Sequence, residues 1–197
     1  MKVVITGHSY ARELEGLGIQ HTVISGQNVE FQYIHRLGAS YETYLNGRDR
    51  DLFGQIAAAE PVIVLVIMAG NSITDSKTDQ QIRLDIEEFY GTLRAYVPGA
   101  RIIAAQIELR FNQENNRHGA PCIDEYRQRR VRLNNFINRC KAKDGILLLS
   151  GPNCLDNPDL YKSDGAHLTN EGYQIYMLRI EGMIRSAIQR GLVPLID

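Results

Sequence analysis

Apolar positions along this 197-residue chain fall into two patterns. The first is the short unbroken run. Val3-Val4-Ile5, the stretch 62–68 and the stretch 101–107 show no polar alternation. Such runs predict strands covered on both faces, as in a parallel sheet. Further strand signals lie at 20–25 and 31–36, on either side of Gly26-Gln27-Asn28, and at 146–149. Only one of the pair at 20–36 need enter the main sheet. The second pattern repeats every three or four residues, which predicts helices. Leu52, Ile56 and Ala59 recur in this way within 48–60. Ile82, Ile86, Phe89, Leu93 and Tyr96 do so within 78–97, which Pro98-Gly99 closes. Tyr126, Val131, Leu133, Phe136, Ile137 and Cys140 are the apolar positions of a helix over 123–143. A short helix is expected over 9–17, stopped by Gly16 and Gly18, and a closing one over 169–190.

Strands and helices therefore alternate from end to end. Alternation of this kind predicts an α/β fold: a three-layer α/β/α sandwich around a mostly parallel sheet of about five strands. No repeat, low-complexity tract or linker interrupts it, so residues 1–197 read as a single domain.

Composition narrows the partners. The net charge is −1 and the sequence pI about 6.5, so no basic field is available to hold nucleic acid. The longest apolar run, 61–70, is too short to span a bilayer. Residues 1–7 hold no leader-like apolar stretch. Cys122, Cys140 and Cys154 show no Cys-x-x-Cys spacing, so neither a zinc site nor a redox pair is expected. Reduced thiols without a leader suggest a cytoplasmic or nuclear protein.

In open α/β sheets, sites form beyond the carboxyl ends of the strands. The segments found there are Thr6-Gly7-His8-Ser9, Leu37-Gly38-Ala39-Ser40, Met68-Ala69-Gly70-Asn71-Ser72, and Ser163-Asp164-Gly165-Ala166-His167 before the last helix. Together they hold the groups of a serine hydrolase. A serine hydroxyl needs a base to take its proton, and histidine suits that task near neutral pH. A carboxylate on the other ring nitrogen fixes the tautomer and stabilises the imidazolium. Ser9, His167 and Asp164 fill these three roles. The oxyanion needs donors, for which the backbone N–H groups of Ser9 and Gly38 and the side chain of Asn71 are candidates. Gly26 and Gly47 compete with Gly38 for its place.

These four segments resemble, in order, the four blocks of the SGNH (GDSL-like) hydrolase family. Gly7-His8-Ser9 is similar to its Gly-Asp-Ser block and Gly38 to its isolated glycine. Ala69-Gly70-Asn71-Ser72 is similar to Gly-x-Asn-Asp, and Asp164-Gly165-Ala166-His167 to Asp-x-x-His. The stretch 164–173 is the most specific match. The resemblance implies the α/β/α sandwich, hydrolysis with no metal or other cofactor, and a small ester substrate. Gly-His-Ser-Tyr-x-Arg also resembles SGNH domains of invertebrate mobile-element proteins and of some LINE-type retrotransposons. Three positions depart from the pattern: His8 for an aspartate, Ala69 for a glycine and Ser72 for an aspartate. The first need not abolish catalysis; the other two bear on the quality of the oxyanion hole and not on its existence, Ser72 by removing an orienting contact.

Other readings compete. The same departures suit a binding or assembly module that kept the fold and lost efficient catalysis. A nucleotide-binding domain is disfavoured, because neither Gly-x-Gly-x-x-Gly nor a P-loop pattern occurs. Arg110, Arg117 and His118 lie in a polar loop over 110–121, read as a solvated loop or else as a lid. Arg127, Arg129, Arg130 and Arg132 read as a solvated helix face, with contact to an acidic partner or RNA as the minor alternative.

Overall fold

A computed structural model describes residues 1–46, 50–68, 70–74, 76–111, 121–144, 147–149 and 156–192. Its strands are β1 (Lys2–Gly7), β2 (His21–Ile24), β3 (Gln27–His35), β4 (Ile63–Ile67), β5 (Arg101–Ala105) and β6 (Leu147–Leu149). Its helices are α1 (Ser9–Glu15), α2 (Tyr41–Leu45), α3 (Arg50–Ala58), α4 (Asp79–Tyr96), α5 (Ile123–Asp144) and α6 (Asn170–Gln189). The strands form one six-stranded sheet in the order β2-β3-β1-β4-β5-β6. All neighbours are parallel except β2 and β3.

Both weak strand signals enter this sheet, one more than expected. Ser25 and Gly26 each have positive φ, 52° and 79°, and join β2 to β3. Two central residues of that kind make a tight hairpin that matches the strand twist. The hairpin begins β3 beside Lys2, at the amino end of β1, so Gly26 lies at the end of the sheet opposite Gly7.

The unbroken runs are buried because helices cover both faces. Val3, Ile5, Leu65 and Ile67 pack against α1 and α6. Val4, Val64, Val66 and Ala104 pack against α2, α3, α4 and α5. Five-residue α2 has too few turns to show a period. What holds it is a capping box between Ser40 and Thr43 and two fully buried tyrosines, Tyr41 and Tyr44. Thr78 and Gln81 form a second capping box at the start of α4.

Two apolar positions expected in the core are outside it. Tyr96 is 44% exposed, with its ring against Phe53 at the rim. Val131 is 52% exposed. The buried stripe of α5 runs through Tyr126, Arg129, Leu133, Ile137 and Cys140 at helical spacing, and Val131 falls off it.

The same stripe corrects the reading of the arginine cluster as a solvated face. Arg129 is 4% exposed. Its Nε donates to Asp79 Oδ1 at 2.7 Å, its Nη1 to the Thr74 carbonyl at 2.8 Å, and its Nη2 to the Lys77 carbonyl. Arg132 takes the other oxygen of Asp79, at 2.6 Å. Arg130 donates to the Ile107 carbonyl at 2.7 Å. Arg127 lies over the Phe111 ring. Burial works against ionisation of Asp79, but the bonds from Arg132 and Arg129 outweigh it and hold the carboxyl below its usual range. Arg129→Met removes three hydrogen bonds from a buried cation, to Asp79 and to the carbonyls of Thr74 and Lys77, and is expected to cost about 3 kcal/mol. Urea unfolding at pH 7 checks this; a loss below about 0.5 kcal/mol, the size of an ordinary surface change, contradicts it.

Among the described residues, no helix is long and apolar enough to cross a membrane. Cys122 is exposed and Cys140 buried. Cys154 lies outside the described residues.

Candidate active site

Parallel strands bring their carboxyl ends to one edge. Gly7 of β1 stands level with His35 of β3 on one side and Ile67 of β4 on the other. The chain leaves β1 toward β3 and only later crosses to β4, so the topological switch point lies here. The turn into α1 is pinned from three sides. The Gly7 carbonyl accepts from Arg36 N at 3.0 Å and from Tyr44 Oη at 2.8 Å, while His8 N donates to the Ile67 carbonyl at 3.4 Å. A Cβ at residue 7 would sit 1.9 Å from the Ile67 oxygen, so only glycine allows β1 and β4 to meet this closely.

Ser9 does not cap α1. His8 does, its Nδ1 accepting from Tyr10 N at 3.4 Å. A backbone N–H can only donate, so His8 Nδ1 carries a lone pair and the ring proton is on Nε2. The Ser9 hydroxyl is left to face the loop before α6.

That loop is a tight reversal. Gly165 N donates to the Lys162 carbonyl and Lys162 N to the His167 carbonyl; Tyr161 pairs with Leu168 across its base. Asp164 Oδ1 accepts from Ala166 N and His167 N, both at 2.9 Å. Its Oδ2 meets His167 Nδ1 at 2.6 Å. The carboxylate accepts, so Nδ1 holds the proton and Nε2 is free to accept. Ser9 Oγ lies 2.9 Å from that Nε2, across 158 positions of sequence. Burial raises the Asp164 carboxyl, but the two backbone N–H groups and the His167 ring more than offset it and hold it below its usual range. Tyr10, one residue past the serine, reaches back to the Ala166 carbonyl at 2.9 Å and ties α1 to the histidine loop.

Gly38 occupies a turn closed by Ala39 N donating to the Arg36 carbonyl, and its φ is +70°. With positive φ at the third position this is a type II turn, which suits glycine. Asn71 sits in a single 3₁₀ turn after β4. Its Nδ2 donates to the Ala39 carbonyl at 3.3 Å, so the Gly38 and Asn71 segments are joined to each other. Ser72 accepts from Tyr41 N at 3.3 Å and fixes the start of α2 beside them. Ala69, Gly47, Arg117 and His118 lie outside the described residues.

Sequence reasoning gave little weight to two residues that stand within the site. His8 Nδ1 is 3.3 Å from Ser9 Oγ. Glu108 lines, with His8, Gly70, Arg110 and Tyr126, a cavity of about 20 Å³, space for about one water. His8 is signalled only as the departure beside Ser9, and no spacing signals Glu108, which the chain beyond β5 brings in. Burial, with Arg110 and His167 nearby, pushes the His8 imidazole down to about 3. Burial, partly offset by Arg130, pushes Glu108 up to about 7.

These two shifts act oppositely on stability. Below about pH 6.5 an unfolded histidine binds a proton that folded His8 refuses until about pH 3. Its contribution is therefore intact above about 6.5 and lost as pH falls. Glu108 stays protonated in the fold up to about 7, so its contribution grows as pH falls. His8→Asn keeps an oxygen for Tyr10 N and isolates the first effect. Relative to wild type it should gain about 2 kcal/mol between pH 7.5 and 5. Parallel stability curves from denaturant titrations at the two pH values would contradict this.

Comparison with known proteins agrees with the fold. The sequence profile of the GDSL-like Lipase/Acylhydrolase family matches residues 7–175. No curated protein sequence matches the chain. Among solved structures, a lipase/acylhydrolase from Enterococcus faecalis superposes with a TM-score of 0.68 at 14% identity, covering 100% of this chain and 98% of the other. A GDSL-like lipase from Bacteroides thetaiotaomicron VPI-5482 gives 0.64 at 16% identity, covering 96% and 88%. The acetyl xylan esterase AlAXEase gives 0.62 at 11% identity, covering 93% and 100%. At such identities the likeness is one of fold.

Proposed function

The chain belongs to the GDSL-like lipase/acylhydrolase family, and from that premise we propose that it is a serine esterase hydrolysing small acyl esters through an acyl-enzyme on Ser9. The observation that carries this reading is the relay Ser9 Oγ–His167 Nε2–Asp164, with contacts of 2.9 and 2.6 Å. Ser9 Oγ attacks the ester carbonyl as its proton passes to His167 Nε2. The carbonyl electron pair moves onto oxygen, for which the N–H groups of Ser9 and Gly38 and Asn71 Nδ2 are the proposed donors. Collapse breaks the bond to the alcohol, which leaves with the proton from His167. Water then attacks the acyl-serine with His167 as base and releases the acid.

Acetyl is the first acyl group to test. Beneath the serine the interior is filled by Tyr10, with Tyr173 and Tyr176 set edge-on at 5.3 and 5.9 Å. The cavity beside His8 is too small for a chain. An acyl tail must then lie along the open edge, where burial adds little. The fold likeness to an acetyl xylan esterase points the same way. The reading of a module without catalysis drew on the departures from the family pattern. Two of them have duties compatible with turnover: His8 caps α1, and Ser72 holds α2.

Rates with p-nitrophenyl acetate, butyrate and octanoate test the substrate class. The expected kcat/KM is highest for acetate and falls by about tenfold or more at octanoate. A rise toward octanoate rejects the small-acyl reading, and no Ser9-dependent turnover on any of the three rejects the esterase.

A further inference from the structure

We propose that Arg110 is a positioning residue for catalysis: it holds the Asn71 amide in the one orientation that turns an N–H toward the oxyanion. The proposal rests on the esterase reading for its effect on rate, though its geometry stands independently. Arg110 Nη2 donates to Asn71 Oδ1 at 3.1 Å. On the other side Asn71 Nδ2 donates to the Ala39 carbonyl at 3.3 Å. Guanidinium can only donate and a backbone carbonyl can only accept. Turning the amide over would set donor against donor and oxygen against oxygen at once. The two contacts therefore choose the same orientation independently. One Nδ2 hydrogen is used by Ala39 and the second remains for the substrate.

The arginine is itself held in place. Ile107, three residues earlier, is clamped by Asn134, whose Oδ1 accepts from Ile107 N at 2.8 Å and whose Nδ2 donates to its carbonyl at 3.2 Å. Arg130 donates to that same carbonyl at 2.7 Å. Tyr126 Oη donates to the Glu108 carbonyl at 3.3 Å, and the Arg110 guanidinium lies 4.9 Å from the centre of its ring. A Cβ on Gly70 would come within 3.3 Å of Arg110 Nη2, so the 3₁₀ turn bearing Asn71 is open on the side from which the arginine arrives. These contacts make Arg110 part of the site wall. They replace the orienting contact that Ser72, now engaged with Tyr41 N, does not offer. The guanidinium charge also polarises the amide and strengthens its remaining N–H as a donor.

The test compares wild type, Arg110→Met, Arg110→Lys, Asn71→Ala and the double variant Asn71→Ala/Arg110→Met on p-nitrophenyl acetate, with Ser9→Ala as the blank. Loss of an oxyanion donor lowers kcat by about 10²–10³-fold, and loss of its orientation should lower kcat by about tenfold, with KM within about twofold. Lysine should recover part of the loss. Because Arg110 acts through Asn71, the double variant should be no slower than Asn71→Ala alone. A double variant slower by the product of the two single losses overturns the proposal, as does wild-type kcat in Arg110→Met. If wild type shows no turnover above Ser9→Ala, the esterase reading has failed, and a measurement without substrate decides the proposal. The Asn71 side-chain NH₂ pair, identified in ¹⁵N–¹H spectra by its loss in Asn71→Ala, should shift and exchange faster in Arg110→Met. Unmoved signals overturn it.

Discussion

Ser9→Ala is expected to lower kcat on p-nitrophenyl acetate by ~10⁴-fold or more while leaving the unfolding midpoint nearly unchanged. The size follows from the role: without the hydroxyl no acyl-enzyme forms, and only donors and binding remain to assist attack by water. The unchanged stability follows from the surroundings. Ser9 is half-buried, α1 is capped by His8, and the turn is pinned through Gly7 and Tyr44. A cap lost at Ser9 would cost about 1 kcal/mol, but the capping atom belongs to its neighbour. Steady-state kinetics and thermal unfolding on the same sample check both halves. A variant keeping more than about a tenth of the activity refutes the nucleophile assignment.

Asp164→Asn is expected to be nearly as damaging, with kcat reduced by ~10³–10⁴-fold, the scale known for the same change in serine-protease triads. The amide oxygen can still accept from Ala166 N and His167 N, so the loop keeps its shape. The amide NH₂ then faces His167 Nδ1, where Oδ2 now lies at 2.6 Å. A donor there drives the ring proton to Nε2, which can no longer accept from Ser9. The imidazolium of the transition state also loses its carboxylate. Since folded Asp164 is held below its ordinary range, wild type carries an added stability that is present above about pH 4 and fades as pH falls through the folded value. Asp164→Asn should lack that fade. Kinetics at pH 7.5, with proton NMR of the ring N–H signals, checks the tautomer. A loss in kcat of less than about tenfold contradicts the role given to Asp164.

Much of this was legible in the sequence because it lies in local spacing. Val3-Val4-Ile5 and 62–67 read as buried strands because helices on both faces leave no polar side to alternate. Asp164 and His167 stood out because three residues suffice for one turn to put a carboxylate on its own loop's imidazole. The residues that escaped notice are those whose neighbours come from elsewhere in the chain. Arg129 looked like one of four surface charges, yet the stripe through Tyr126, Leu133 and Ile137 carries it inward to Asp79. Arg110 looked like the start of a solvated loop, yet Asn134 and Arg130 turn its backbone toward Asn71. His8 looked like a departure from the family aspartate, and only the capped helix explains what it does. Short α2 has no period to read, and its evidence is the burial of Tyr41 and Tyr44.

The proposed catalysis depends on a serine made nucleophilic by an imidazole from the far end of the chain. Labelling the folded protein with a fluorophosphonate probe and mapping the adduct by peptide mass tests that dependence most directly. The predicted result is one adduct, on Ser9, formed rapidly in wild type, far more slowly in His167→Ala and not at all in Ser9→Ala. Folded wild-type protein that stays unlabelled, or that carries the adduct on another serine such as Ser40, contradicts it.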